Sequence, residues 1–152
     1  MEKALRTFLP NGRFGRVPRQ RSEAMGKVRG TGNKTTELLL RLALARAGLR
    51  GWRVRPPGML GRPDFVFGEE RVVIFADGCF WHGCPACSHA PIRTNARYWR
   101  AKIQRNRERD ARTLCSLRRA GWRVVRVWEH ELRISPARVV AKIKRALATR
   151  EK

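Results

Sequence analysis

The spacing of apolar and polar positions changes along the chain, and each change marks an element. Up to about residue 32 no spacing is sustained. Gly, Arg and Pro dominate there, and the stretch reads as a flexible basic arm with no assigned regular structure. Asn33 or Thr35 is placed to cap a helix that runs to about Ala47, with Leu38, Leu42 and Ala45 at helical spacing and Gly48 at its exit. From Trp52 the pattern becomes strand-like, over Arg53 to Arg55, Asp64 to Phe67 and Arg71 to Ala76. The Gly68-Glu69-Glu70 turn makes the last two a hairpin. A cysteine-rich loop then leads into a helix from about Asn95 to Ala120, ended by Gly121. The strand Trp122 to Trp128 follows, with Val124, Val125 and Val127 suited to burial. Pro136 opens a last helix whose apolar face is Val139, Val140, Ile143 and Leu147. The order α-β-β-β-α-β-α predicts an α/β fold, a mixed sheet flanked by helices. No internal repeat or low-complexity tract interrupts it.

Length and charge narrow this picture. A chain of 152 residues suits one core, so residues 33–150 read as a single domain behind the arm of residues 1–32. Lys and Arg total 35 against 12 Asp and Glu, a net charge of +23 spread along the whole chain, which points to a polyanionic partner. An architectural nucleic-acid-binding protein would carry such charge, so the chemistry has to decide. No apolar run nears the roughly 18 residues of a membrane span, and the N-terminus has no signal-peptide core. The expectation is a cytoplasmic protein without membrane contact.

On the long helix Trp99, Ile103, Leu114 and Leu117 share one stripe, and Asn106 and Asp110 fall on it too. A carboxylate on an inward face must be paired, hydrogen-bonded or bound to a cation. An arginine salt bridge would satisfy Asp110. So would an active site, since Lys102, Asn106 and Asp110 recur every fourth residue as a polar row. Gly61-Arg62-Pro63-Asp64-Phe65 sets an acid at the start of one strand, and Ala76-Asp77-Gly78 sets another at the end of its hairpin partner. Paired carboxylates can hold a hard cation against a phosphate, as phosphodiester hydrolysis requires, although acids also cap strands merely to stay solvated.

Directly after Asp77, Cys79, Cys84 and Cys87 crowd into nine positions around His82, with Phe80 and Trp81 between them. Cys84-x-x-Cys87 has zinc-ligand spacing, and Cys79 with either His130 or His89 completes a closed structural site. Cys115, inside the helix, reads as packing. His82 is left as a general acid or base, or as a further zinc ligand.

These residues carry a resemblance. Gly61-Arg62-Pro63-Asp64-Phe65, Phe75-Ala76-Asp77-Gly78-Cys79-Phe80-Trp81-His82, then Trp99, Lys102, Asn106, Arg109-Asp110, Gly121-Trp122-Arg123-Val124 and Val127-Trp128-Glu129 resemble the very short patch repair (Vsr) DNA mismatch endonucleases. The resemblance spans about residues 22–133. It implies a restriction-endonuclease-like fold with a structural zinc, and nicking 5′ to the thymine of a T:G mispair left by deamination of 5-methylcytosine. It also implies that Asp64 is the central magnesium ligand, helped by the main-chain carbonyl of Ala76, and that His82 assists the attacking water. By the same resemblance Asp110 supports the histidine and Glu37 touches the metal's water shell. Phe80, Trp81 and Trp99 would wedge into the base stack, with Lys102 and Asn106 among the DNA-contacting groups. At Asp77 a well-known family member carries a histidine, so Asp77 is either a second magnesium ligand or a neighbour. Cys79 stands where the nuclease superfamily commonly has a lysine.

The expected partner is double-stranded DNA with a T:G mismatch, cut by a monomer at the bacterial nucleoid, with a functional link to a DNA cytosine methyltransferase and other repair proteins. A non-catalytic zinc DNA-binding module would not need Asp64, Asp110 and Glu37. A general structure-specific nuclease of the same superfamily would not need the Phe80-Trp81 wedge. Arg13, Arg16, Arg19 and Arg21 suit an arm that orders in the minor groove.

Overall fold

The computed structural model describes residues 2–14, 20, 36–87 and 92–149. Helix α1 spans Glu37–Arg46, and strands β1, β2 and β3 span Trp52–Val54, Phe65–Phe67 and Val72–Asp77. The long helix α2 covers Ala96–Arg119, strand β4 covers Arg123–Trp128, and helices α3 and α4 cover Glu129–Ile134 and Pro136–Ala148. The strands form one sheet in the order β1-β2-β3-β4. The first two pairings are antiparallel, with Trp52 opposite Phe67 and Phe65 opposite Ile74. The last is parallel, with Val72 opposite Arg123 and Asp77 opposite Trp128. A parallel pair needs a crossover, and α2 supplies it.

Side-chain alternation along the strands divides the core by face. Phe65, Phe67, Val72, Ile74, Val125 and Val127 pack with Leu40 and Leu44 of α1, Leu132 of α3, and Val139 and Ile143 of α4. Val66 and Val73 pack on the opposite face with Leu117 of α2, edged by Phe75, Trp122 and Val124. Helices cover both faces, which explains why β2 and the first half of β3 read as unbroken apolar runs. The loop between β1 and β2 is pressed onto α2 at Gly61. Its φ is +74°, and a Cβ there would lie 2.1 Å from the Thr113 methyl.

Several sequence expectations change. In α1 the buried residues are Leu40 and Leu44, while Leu38 and Leu42 are 43% and 42% exposed and Ala45 is exposed too. Leucines surround this helix, so periodicity alone could not say which side meets the sheet. Thr36 takes the N-cap position, and Asn33 and Thr35 lie outside the described residues. On α2 the fully buried residues are Tyr98 and Leu117; Trp99, Ile103 and Leu114 are half-buried, and Cys115 is exposed instead of packed. Helix α3 was not foreseen, being too short to show a period; Glu131 caps it by accepting the Trp128 N–H at 2.8 Å. At the N-terminus, where no regular structure was assigned, Glu2–Phe8 and Pro10–Gly12 form short 3-10 helices. They bury Leu5 and Leu9 against Tyr98. Arg16, Arg19 and Arg21 of the expected arm lie outside the described residues.

Candidate active site and metal centre

Antiparallel pairing of β2 with β3 brings the Pro63-Asp64 corner beside the last turns of β3, and α2 crosses the same end of the sheet. The Asp64 N–H donates to Ile74 O at 2.9 Å, which fixes the backbone. Its carboxylate accepts the Ala76 N–H at 2.8 Å on one oxygen and the Arg55 guanidinium at 2.9 Å on the other. Arg55 also pairs with Glu37 from the start of α1. Burial pushes the Asp64 carboxyl above its usual pKa. The Ala76 N–H and Arg55 oppose that shift, and the nearby Glu37 charge adds to it.

A second charged group lies along the same end of the sheet. His82 Nδ1 is 2.6 Å from Asp110 Oδ2 and 3.5 Å from Asp77 Oδ1. Arg126 of β4 donates to Asp110 at 2.9 Å and also pairs with Asp77. Arg109 donates to the other Asp110 oxygen at 3.1 Å. Burial works to raise the Asp110 carboxyl, but the hydrogen bond and charge of His82, with Arg109 and Arg126, outweigh it and hold the pKa below its usual value. Asp110 therefore makes an arginine salt bridge and a contact to His82 at once.

Glu37, Asp64, Ala76, Asp77, Trp81, His82, Lys102 and Asp110 all line one cleft of about 1270 Å³. Asn106 is not part of its wall but donates to the Trp81 carbonyl at 2.9 Å, which anchors the loop after β3 to α2. Phe80, Trp81 and Trp99 stack mutually edge-on, with centroids 5.2 to 5.9 Å apart. Lys102 Nζ sits 5.6 Å from the centre of the Trp99 ring. The sequence gives Arg55 and Arg126 no site role, because nothing distinguishes them among 35 Lys and Arg.

The same loop carries the three thiols of a candidate metal centre, and His130 of α3 completes it. Ligand atoms of Cys79, Cys84, Cys87 and His130 all lie within 4.8 Å of one another. His130 Nδ1 is 3.2, 3.7 and 3.2 Å from the three sulfurs. Zn–S near 2.3 Å and Zn–N near 2.0 Å imply a tetrahedral S···N edge of about 3.5 Å, so the group fits zinc. Burial, with Cys84 and Cys87 close by, pushes the Cys79 thiol up to about 12, and a bound cation would supply the charge that favours its thiolate. His89 lies outside the described residues. His82 stays with Asp110 and does not join the thiols.

Comparison with known proteins decides the family. Residues 16–88 match the family model described as DNA mismatch endonuclease Vsr. The chain is 42% identical over 108 residues to the DNA mismatch endonuclease Vsr of Escherichia coli K12, covering 70% of this chain and 69% of that one. The chain belongs to the Vsr family of DNA mismatch endonucleases. It is likewise 46% identical over 115 residues to the Type II nicking enzyme V.NaeI of Lentzea aerocolonigenes, covering 73% of this chain and 68% of the relative. With the Type II nicking enzyme V.NmeDIP of Neisseria meningitidis serogroup C it shares 34% identity over 136 residues, 89% of this chain and 90% of the relative. As a Vsr-family protein it is a DNA endonuclease, and its mixed sheet between helices is the restriction-endonuclease-like fold expected from the sequence. Among the described residues no helix is long and apolar enough to cross a membrane.

Proposed function

We propose that this endonuclease nicks one strand 5′ to the thymine of a T:G mispair by magnesium-assisted hydrolysis. The observation that carries the reading is the junction of two surfaces at Trp81. This residue lines the acid-walled cleft and belongs to the Phe80-Trp81-Trp99 stack. Aromatic rings inserted at a mispaired step unstack it more cheaply than a matched one, and here they stand beside the hydrolytic groups.

Glu37 and Asp64 already bracket one cation, the Arg55 guanidinium, so their oxygens suit a hard divalent ion. Asp64, Glu37 and the Ala76 carbonyl would hold it. Bound magnesium supplies Lewis-acid polarisation of the scissile phosphate. His82 donates its Nδ1–H in a hydrogen bond to the Asp110 carboxylate and keeps that proton, which leaves Nε2 free to take the proton of the attacking water. Asp77 faces His82 Nδ1 at 3.5 Å from beside Asp110, so we assign Asp77 to orienting His82 and not to the metal. Zinc on Cys79, Cys84, Cys87 and His130 ties this loop to α3. Lys102 and Asn106 support the wedge, Lys102 from the cleft wall and Asn106 through the Trp81 carbonyl. A monomer suffices, because the mispair is asymmetric. T:G mispairs from 5-methylcytosine arise where a DNA cytosine methyltransferase works, which links the two activities at the nucleoid and joins this nick to later repair proteins.

Cleavage of end-labelled duplexes containing T:G or C:G in one sequence context, with or without magnesium, tests the proposal. Magnesium-dependent nicking beside the thymine, lost in Asp64→Ala, is the expected result. Equal cutting of both duplexes would mean a general nuclease, and binding without cutting would mean a non-catalytic module.

A further inference from the structure

Arg55 stands between the two acids that open onto the cleft, and nothing in the sequence reading gave it a task. Its backbone lies in the left-handed region, with φ +41°, directly after β1. For a bulky residue that conformation is costly and persists only where the surroundings enforce it. Here its main-chain N–H donates to Asp64 O at 3.2 Å, which ties the corner before β2 to the end of β1. The guanidinium then reaches back, with Nε 3.3 Å and Nη2 2.9 Å from Asp64 Oδ1. The same Nη2 pairs with Glu37 Oε1. Side-chain exposure is only 23% for Arg55 and 12% for each acid, so water screens the trio weakly.

Two carboxylates that share one guanidinium nitrogen repel each other strongly unless a cation stays between them. Arginine is the one side chain that cannot relieve such a site by losing its proton. We infer that Arg55 is the resident counter-cation of the Glu37–Asp64 pair: it holds the two acids together in the metal-free enzyme and competes with the divalent ion for their oxygens. DNA offers the guanidinium another partner, the backbone phosphate entering the cleft, so DNA binding and metal binding favour each other. Arg55 is thus a positioning residue that ties metal uptake to substrate. This rests on the proposed roles of Glu37 and Asp64.

The test is direct Mn2+ titration, followed by the signal of the free ion, on zinc-loaded protein without DNA, paired with melting in magnesium-free and magnesium-containing buffer. Arg55→Gln should bind Mn2+ at least about tenfold more tightly than wild type. It should also melt lower without magnesium and regain stability when magnesium is added. Arg55→Lys, which keeps the charge, should stay near wild type in both. Mn2+ binding lost in Asp64→Asn but unchanged in Arg55→Gln would overturn the role of Arg55 alone. Binding indifferent to Asp64→Asn would overturn the metal assignment beneath it. A melting loss in Arg55→Gln that magnesium does not restore would mark Arg55 as merely structural, and would also overturn the inference.

Discussion

At Asp64 two effects oppose each other, and their balance has a measurable sign. Burial raises its pKa, and the Ala76 N–H and Arg55 compensate only in part. A carboxyl whose folded pKa lies above its unfolded value near 4 contributes stability that is fully present below that value and lost as pH rises through the folded pKa. Ionising Asp64 in the folded protein therefore carries a net cost in stability. Such a cost is common at functional sites. Asp64→Asn keeps an acceptor for the Ala76 N–H and drops the charge, so its melting temperature at pH 7 should match or exceed that of wild type while nicking disappears. The advantage should shrink as pH falls through the folded pKa of Asp64 and be gone below about pH 4, where wild-type Asp64 is neutral in both states. A variant less stable than wild type at pH 7 would show that the pairing with Arg55 outweighs burial.

Among the elements, α2 contributes to the core and to the wall of the cleft at once. Its C-terminal half packs through Leu117 on the sheet, its middle presents Lys102 and Asp110 to the cleft, and its first turn holds Tyr98 and Trp99. The N-terminal segment supplies packing for that first turn through Leu5 and Leu9. Phe14 adds an edge-on contact to Tyr98, with centroids 4.9 Å apart. Deleting residues 1–14 should therefore lower the melting temperature and speed amide exchange over residues 96–101. Each lost leucine contact is worth about 2 kcal/mol or more. Unchanged exchange there would show that the segment does not hold α2, leaving any effect of its loss on DNA binding to charge alone.

For the whole molecule, the net charge of +23 and the aromatic stack act on different properties. Phosphate neutralisation is independent of sequence and weakens steeply with salt, whereas ring stacking at an unstacked step is neutral. Fluorescence anisotropy on mispaired and matched duplexes across a salt series should show both affinities falling in parallel, with their ratio nearly constant. A ratio that collapses as salt rises would place discrimination in the ionic contacts and remove the rings from the mechanism.

Elements specified by long periods or by local chemistry can be read from the order of the amino acids. Strands β2 to β4, helices α2 and α4, the hairpin turn and the thiol spacing around Cys84 and Cys87 were legible because each depends on near neighbours. The motif residues Asp64, His82 and Asp110 stand out locally as well, and the fold gathers them along one cleft. The assembled fold selected which leucines of α1 turn inward, since a helix with leucines on every side has no unique apolar face. It also decided how the charges pair. Asp64 meets Arg55, and Asp110 meets both His82 and Arg126, from elements far apart in the chain. A basic sequence offers dozens of arginines of equal standing, and which one reaches a given carboxylate depends on strand register and helix crossing, neither of which is written in any local pattern.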